Sequence, residues 1–336
     1  MADLGEARMP AAPRRVLVTG ATGFVGRAVC AALAEAGIPF VAAVRRPCAG
    51  MPQARVVGEI SRETDWTGVL EGVDTVIHLA ARVHLMRDTA ADPLAAYREV
   101  NTQGTLNLAR QAAAAGVRRF VFASSVKVNG EGRAVPYRAD DVPAPVGAYA
   151  LSKLEAERGL LALAGGAEAG MTVAIVRLPL VYGPGVGANF RRLMDLLRRG
   201  VPLPFGRVEN RRSLVFVGNA ADLMIRCLTH PAAGNRVWMV SDGEDLSTPA
   251  LLRKVGVALG CPARLLPVPQ GWLEAALRAL GKGDFAQRLL GSLAVDIAGT
   301  RSALGWTPLF SVDDGMRMTA ASYLSSRTGR KRVEGG

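Results

Sequence analysis

Tyr149-Ala-Leu-Ser-Lys153 sets a phenol and an ammonium four residues apart. On a helix, which the neighbouring Ala150, Leu151, Leu154, Glu155, Ala156 and Glu157 favour, the two share one face about a turn apart. A phenol has a pKa of ~10 in water and acts as a base near neutrality only where a fixed positive charge favours its phenolate. Lys153 is such a charge. Taken alone, the same spacing also occurs on ordinary surface helices, so its meaning depends on what the rest of the chain brings beside it.

A second stretch with chemistry in it lies near the start. Arg15-Val-Leu-Val-Thr19 is a β-branched run that ends on Gly20-Ala-Thr-Gly23-Phe-Val-Gly26 and passes into an Ala-rich helix closing at Gly37. Strand, glycine turn and helix form the phosphate-binding opening of a dinucleotide fold. Gly20 permits the tight turn, Gly23 lets the backbone approach a pyrophosphate, and Gly26 lets helix and strand pack closely. The helix N-terminus adds unpaired N–H groups and a partial positive charge. The next strand, Phe40–Val44, ends in Arg45 and Arg46, where NAD enzymes carry an acid for the ribose hydroxyls. An Arg pairs with the 2′-phosphate that an Asp repels, so this pair leans towards NADP(H). The other reading is two solvated arginines on a loop.

The elements that must position these groups follow from the same patterning. Residues 54–57 predict a third strand running into Gly58-Glu59-Ile60, and residues 74–79 a fourth ending in Ala80-Ala81, small enough to leave room for a cofactor. His78 sits inside that apolar strand and reads as a core histidine. A helix is predicted over 92–115, stopped by Gly116, with Asn101 in its middle requiring a buried partner. A fifth strand at 120–123 delivers Ser124 and Ser125 to the carboxyl end of the sheet. The alternation predicts an α/β fold, a doubly wound parallel sheet with helices on both faces and ligands beyond the carboxyl ends of its strands. Gly20, Ala80, Ser125 and the Tyr149 helix all map to that edge.

Composition narrows the function classes. A half-apolar chain of 336 residues with few aromatics reads as globular, with room for one large or two medium domains. No apolar run resembles a signal sequence or approaches the ~18 residues of a membrane helix, which points to the cytoplasm and no membrane partner. Cys30, Cys48, Cys227 and Cys261 are isolated, so reduced thiols and no metal site are expected. The net charge of +12 comes from arginines scattered along the chain without interleaved aromatics. That pattern suits small anionic ligands such as diphosphates and not a nucleic acid. Residues 327–332 read as a solvated, disordered end.

With these pieces placed, residues 14–324 resemble an extended short-chain dehydrogenase/reductase of the nucleotide-sugar epimerase and dehydratase group. The motifs that carry the likeness are Gly20 to Gly26, His78-Leu-Ala-Ala81, Asn101-Thr-Gln-Gly-Thr105, Ser124-Ser125, Tyr149 to Lys153, Arg177-Leu-Pro-Leu-Val-Tyr-Gly-Pro184 and Leu304-Gly-Trp-Thr-Pro308. The resemblance implies a Rossmann-type domain over 14–178, a smaller C-terminal α+β substrate lobe over 179–326, a later strand near 236–241 returning to the main sheet, and flexible ends at 1–13 and 327–336. Tyr149 is then the acid and base at the reacting sugar oxygen, Ser125 bonds the same oxygen, and Lys153 holds the nicotinamide ribose while lowering the Tyr pKa. Phe24 and Val25 offer amides to the pyrophosphate beside Gly20, Gly23 and Gly26. Glu59 and Ile60 lie near the adenine, Leu79, Ala80 and Ala81 line the cofactor, and Asn101 supports it. In the second lobe Asn189, Arg212 and Arg288 are the implied diphosphate ligands. Asn219 is read as capping a helix over 220–228, and Thr248 and Pro249 as opening a helix that Gly260 closes. A homodimer through the helices of Tyr149 and Asn101 is implied as well.

Two departures from the group sharpen the reading. Dehydratases place an Asp-Glu pair after the catalytic hydroxyl, whereas Ser125 is followed by Val126 and Lys127. Asn129 stands where a Tyr is more usual, and Pro179 where many epimerases have Asn. The expected activity is hydride transfer at C4 of a UDP-hexose or UDP-N-acetylhexosamine, as in UDP-glucose 4-epimerases, with NAD bound if an epimerase. The alternative is an NADPH-dependent reductase of a UDP-4-keto-6-deoxy-hexosamine in surface-polysaccharide synthesis. A sensor that binds a dinucleotide without turnover is disfavoured by the joint presence of Ser125, Tyr149 and Lys153. A reductase of steroids or small ketones is disfavoured by Arg212 and Asn189.

Overall fold

Short β-branched runs cut by glycine turns build a sheet whose strands are apolar on both faces, the signature of a parallel sheet covered by helices. A computed structural model of the chain describes residues 13–83, 92–166, 170–281 and 283–333. Its first half runs β1 (Val16–Thr19), α1 (Phe24–Glu35), β2 (Phe40–Val44), β3 (Ala54–Val56), α2 (Thr67–Leu70), β4 (Thr75–His78), α3 (Pro93–Tyr97), α4 (Thr105–Ala114), β5 (Arg119–Ser125), α5 (Gly147–Ala164) and β6 (Thr172–Leu178). The second half runs β7 (Leu180–Tyr182), α6 (Ala188–Arg198), β8 (Arg212–Phe216), α7 (Val217–Thr229), β9 (Arg236–Met239), β10 (Asp245–Leu246), α8 (Thr248–Ala258), α9 (Gln270–Ala279), α10 (Gly283–Leu290), α11 (Ala298–Leu304) and α12 (Val312–Val333).

Among the described residues the main sheet has seven strands in the order β3-β2-β1-β4-β5-β6-β9, with every pairing parallel. Alternate residues of each strand feed two cores. Val16, Val18, Val121, Ala123, Ala174 and Val176 pack with Val29 and Leu33 of α1 and with Leu223 and Met224 of α7. Leu17, Phe120, Phe122, Val173 and Ile175 pack with Leu108 of α4 and with Ala156 and Leu160 of α5. The fold is therefore a Rossmann-type, doubly wound α/β sheet. A three-stranded sheet, β10-β8-β7, heads a third core formed with Phe190, Leu252, Val312 and Met316. No helix among the described residues is long and apolar enough to cross a membrane.

Three local expectations are corrected. The helix predicted over 92–115 is broken into α3, a π-helical turn at Arg98–Gly104 and α4, with Asp92 capping its start through the Ala95 amide. Asn219 is not a cap: α7 begins two residues earlier, because the Asp242 carboxylate takes the Phe216 amide at 2.8 Å and leaves Asn219 buried inside the helix. There its amide bonds Asp242 and the Phe310 backbone. The basic tail continues α12 as far as Val333, and Arg327 is held by Asp195 at 2.8 Å. Thr248 and Pro249 do open α8, with Ser247 as the capping residue.

The glycine turn shows why sheet and helix meet as they do. Gly20 has φ +66°, and a Cβ on Gly26 would lie 2.1 Å from the Gly20 carbonyl oxygen. The obstruction is backbone, so it has no side chain to move aside. Gly26→Ala is therefore expected to lower unfolding free energy by about 1–3 kcal/mol, read by denaturant titration. Gly68→Ala, whose Cβ meets nothing within 4 Å, is the control with native or higher stability. Equal stability of the two variants contradicts the packing described.

Candidate active site

β5 ends on Ser125, and the chain turns at once through a single 3₁₀ turn, Val126–Val128, whose Lys127 amide donates to the Ser125 hydroxyl oxygen at 3.3 Å. That turn aims the Ser125 side chain at α5, where its hydroxyl stands close enough to the Tyr149 phenol to favour its anion. The Tyr149 ring also meets Tyr97 edge to face at 6.0 Å between centroids. Tyr97 in turn donates to the Val83 carbonyl at 3.2 Å. A serine and a phenol are thus held together at the carboxyl edge of the sheet.

Lys153, one turn further along α5, is buried. Its Nζ donates to the Ala123 carbonyl at 2.9 Å and lies 4.4 Å from the centre of the Phe122 ring. Burial pulls its pKa down to about 7, opposed by the charge of Glu157. The Tyr149 phenol is pushed up to about 12, first by burial and also by Tyr97, with the Ser125 hydrogen bond opposing. The expectation that Lys153 holds the phenol down is thus not realised in this arrangement. The ammonium is engaged by Ala123, and loss of hydration dominates at the phenol.

On the opposite lip, a relay that sequence reasoning missed fixes the end of β4. The Thr19 hydroxyl oxygen accepts the amides of Leu79 and Ala80, each at 3.2 Å, so its proton goes to His78 Nδ1 at 2.7 Å. His78 is then the Nε2–H tautomer, donating to Thr105 at 2.9 Å. Burial and the charge of Lys153 hold His78 neutral, with its pKa lowered to about 3, as suits a core histidine. The relay seats Leu79, Ala80 and Ala81 beside Gly20, whose missing Cβ would lie 2.8 Å from the Ala80 amide nitrogen. A polar Thr19 ending an apolar strand was the available signal.

Asn101 joins this lip to the Tyr149 helix. Its Oδ1 accepts the Arg82 amide at 2.8 Å, and its Nδ2 donates to the Arg82 carbonyl and to Ser152 Oγ, both at 3.0 Å. Ser152 passes its own proton to the Tyr149 carbonyl at 2.8 Å. The π-turn is what rotates Asn101 into this seam, a common use of such insertions. Ile60 is buried against Gly104 of the same turn.

A dinucleotide fits the residues present. α1 starts at Gly23 with no side chain capping it, which leaves the Phe24 and Val25 amides directed at the groove, and added Cβ atoms at Gly20 and Gly26 would fill the cradle. Arg45 and Arg46 are exposed at the end of β2, and Arg45 pairs with Glu59 at 3.3 Å. In the second lobe Arg212, on β8, donates to the Gly291 carbonyl at 2.9 Å. Burial lowers its pKa and the charge of Glu131 opposes this; Glu131 is itself paired with Lys127 at 2.9 Å. Arg212 therefore faces the turn that carries Ser125. Asn189 stands in the first turn of α6 and Arg288 in α10, and their side chains lie outside those described.

Comparison with known proteins agrees with this layout. Residues 16–241 match the model of the NAD dependent epimerase/dehydratase family. The chain is 44% identical to a UDP-glucose 4-epimerase of Vibrio cholerae over 327 residues, 96% of this chain and 98% of that protein. It is 29% identical to a 3-beta-hydroxysteroid dehydrogenase of Mycolicibacterium neoaurum over 90% of this chain and 89% of that one. Among solved structures, MoeE5 in complex with UDP-glucuronic acid and NAD superposes with a TM-score of 0.75 at 26% identity, covering 93% of this chain and 99% of that chain. The protein belongs to the NAD dependent epimerase/dehydratase family.

Proposed function

We propose that the protein is an NAD-dependent 4-epimerase of a UDP-hexose or UDP-N-acetylhexosamine. The observation that carries this reading is the Ser125 hydroxyl beside the Tyr149 phenol at the sheet edge next to the glycine cradle, in a chain 44% identical over 327 residues to a UDP-glucose 4-epimerase. Dehydration is disfavoured, because Val126 is buried and Lys127 is paired with Glu131, leaving no acid and base after Ser125. A steroid substrate is disfavoured by Arg212, a half-buried cation suited to a diphosphate.

In this reading the Phe24 and Val25 amides hold the pyrophosphate, Glu59 and Ile60 border the adenosine, and Lys153 takes the nicotinamide ribose. The bound nicotinamide supplies a hydride acceptor and donor at one position. Tyr149 removes the proton of the sugar 4-hydroxyl and later returns it, while Ser125 holds the same oxygen in place. Arg212, with Asn189 and Arg288, anchors the diphosphate, so that the sugar can present either face to the same two hydroxyls. Arg45, which leaned towards NADP(H), is paired with the Glu59 carboxylate and is thereby less available to a 2′-phosphate, which supports NAD as the cofactor of an epimerase. A homodimer through α4 and α5 and a cytoplasmic setting belong to the same proposal.

Three outcomes are expected. Tyr149→Phe loses about 10²–10⁴-fold in turnover of UDP-glucose or UDP-N-acetylglucosamine while still binding NAD; turnover within tenfold of native removes Tyr149 from the chemistry. Native protein turns over without added NADPH and releases NAD on denaturation, whereas an absolute need for NADPH identifies the 4-ketoreductase instead. The third outcome concerns the phenol itself. The phenolate absorbance of native protein minus that of Tyr149→Phe shows no step at the ordinary phenol pKa of ~10, since burial holds it near 12. Saturating NAD, which brings a positive ring beside the phenol, moves the step down. A step at ~10 or below without NAD contradicts the geometry.

A further inference from the structure

Behind the catalytic edge lies a buried cluster that the proton transfer does not use. Glu157 stands four residues after Lys153 on α5, on the same face, and is buried against β5 and β6. Its Oε1 accepts the Ser124 hydroxyl and Arg177 Nε at 3.1 Å, and its Oε2 accepts Arg177 Nη2 at 2.6 Å. Arg177 Nη1 donates to Asn129 Oδ1 at 3.1 Å, and Asn129 Nδ2 donates to the Arg138 carbonyl at 3.1 Å. Ser124, Asn129, Glu157 and Arg177 are each no more than 3% exposed.

Buried ion pairs gain little net stability, because desolvation consumes most of the attraction. What sets this one apart is a second cation a helical turn away. The Lys153 ammonium touches the Ala123 carbonyl and the Phe122 ring of β5, and the titratable groups that act on it are His78 from β4, Glu157 from its own helix, and Arg177 from β6 through Glu157. His78 is neutral, the Tyr149 phenol is protonated and Arg177 is a cation, so Glu157 supplies the negative charge. The same carboxylate grips Ser124, the residue before Ser125, and through Arg177 and Asn129 it ties down the turn that follows Ser125.

We propose that Glu157 is a positioning residue for both halves of the site. One buried carboxylate keeps the Lys153 ammonium charged while fixing the end of β5 that presents Ser125. Asn129 completes the arrangement by orienting Arg177, which accounts for an amide where the resemblance leads one to expect a phenol. The inference rests on the reading of Lys153 as the ligand of the nicotinamide ribose.

The test follows the charge of Lys153 through NAD affinity, measured calorimetrically across pH, alongside the pH profile of turnover. Lys153 is active as a cation and its pKa is near 7, so affinity and turnover fall as pH rises through that value. Glu157→Gln keeps the shape but removes the negative charge. Its alkaline limb is expected about one pH unit lower, with NAD affinity about tenfold weaker on the alkaline side and native at about pH 5, where Lys153 is charged in both proteins. Glu157→Asp, which keeps the charge, restores the limb. A merely structural role lowers stability without moving the limb, so a Glu157→Gln profile that superposes on native overturns the inference. If that variant does not fold, Glu157→Gln/Arg177→Gln, which removes both charges, is judged by the same displacement. Lys153→Met separates the two layers: native NAD affinity in that variant overturns the role of Lys153 itself, whereas weakened affinity with an unmoved Glu157→Gln limb overturns the role of Glu157 alone.

Discussion

Loss of water at two ionisable side chains is the constraint on which the site depends. Seating α5 against β5 and β6 through Ala156 and Leu160 puts Tyr149 and Lys153 where hydration no longer supports a charge. Desolvation favours a protonated phenol and a neutral amine, neither of which suits proton transfer. The surrounding polar groups answer that problem piece by piece. Ser125 favours the phenolate, the Ala123 carbonyl accepts a hydrogen bond from the ammonium, and Glu157 supplies a compensating charge. In the proposed epimerase the remaining bias would come with a cationic nicotinamide, which would make the phenol a base.

The same logic explains the division of labour among the strands. β1 ends in a glycine turn that only a backbone without Cβ can make, β4 ends in small residues tied down by Thr19, and β5 ends in Ser125. Each strand contributes one element at one edge because a parallel sheet brings all its carboxyl ends together. Asn101 and the π-turn then join the lip of β4 to the Tyr149 helix, so the two sides of the groove are tied together by hydrogen bonds.

Much of this was legible in the sequence. The strands, the glycine cradle and the pairing of Ser125 with Tyr149 follow from apolar runs, glycine spacing and strand order, all of which are local signals. The π-turn was not legible, because its cause is tertiary: Asn101 must reach Arg82 and Ser152 at once. Asn219 and Ser247 show the same limit for helix starts. A distant Asp242 goes with a start three residues earlier than expected in the first case, while Ser247 simply stood next to the expected pair. The orientation of Lys153 escaped for a different reason. Spacing shows which face a side chain occupies but not which carbonyl will take its proton, and Glu157, one turn on, reads in sequence only as a good helix former.

The claim that Ser125 and Tyr149 act on one sugar oxygen is tested most directly by a crystal structure with NAD and a UDP-hexose bound. The account predicts the sugar 4-oxygen within hydrogen-bonding distance, about 2.6–3.2 Å, of both the Tyr149 phenol and the Ser125 hydroxyl, with Lys153 turned from the Ala123 carbonyl to the nicotinamide ribose. A 4-oxygen that contacts neither hydroxyl, with the diphosphate away from Arg212, contradicts it.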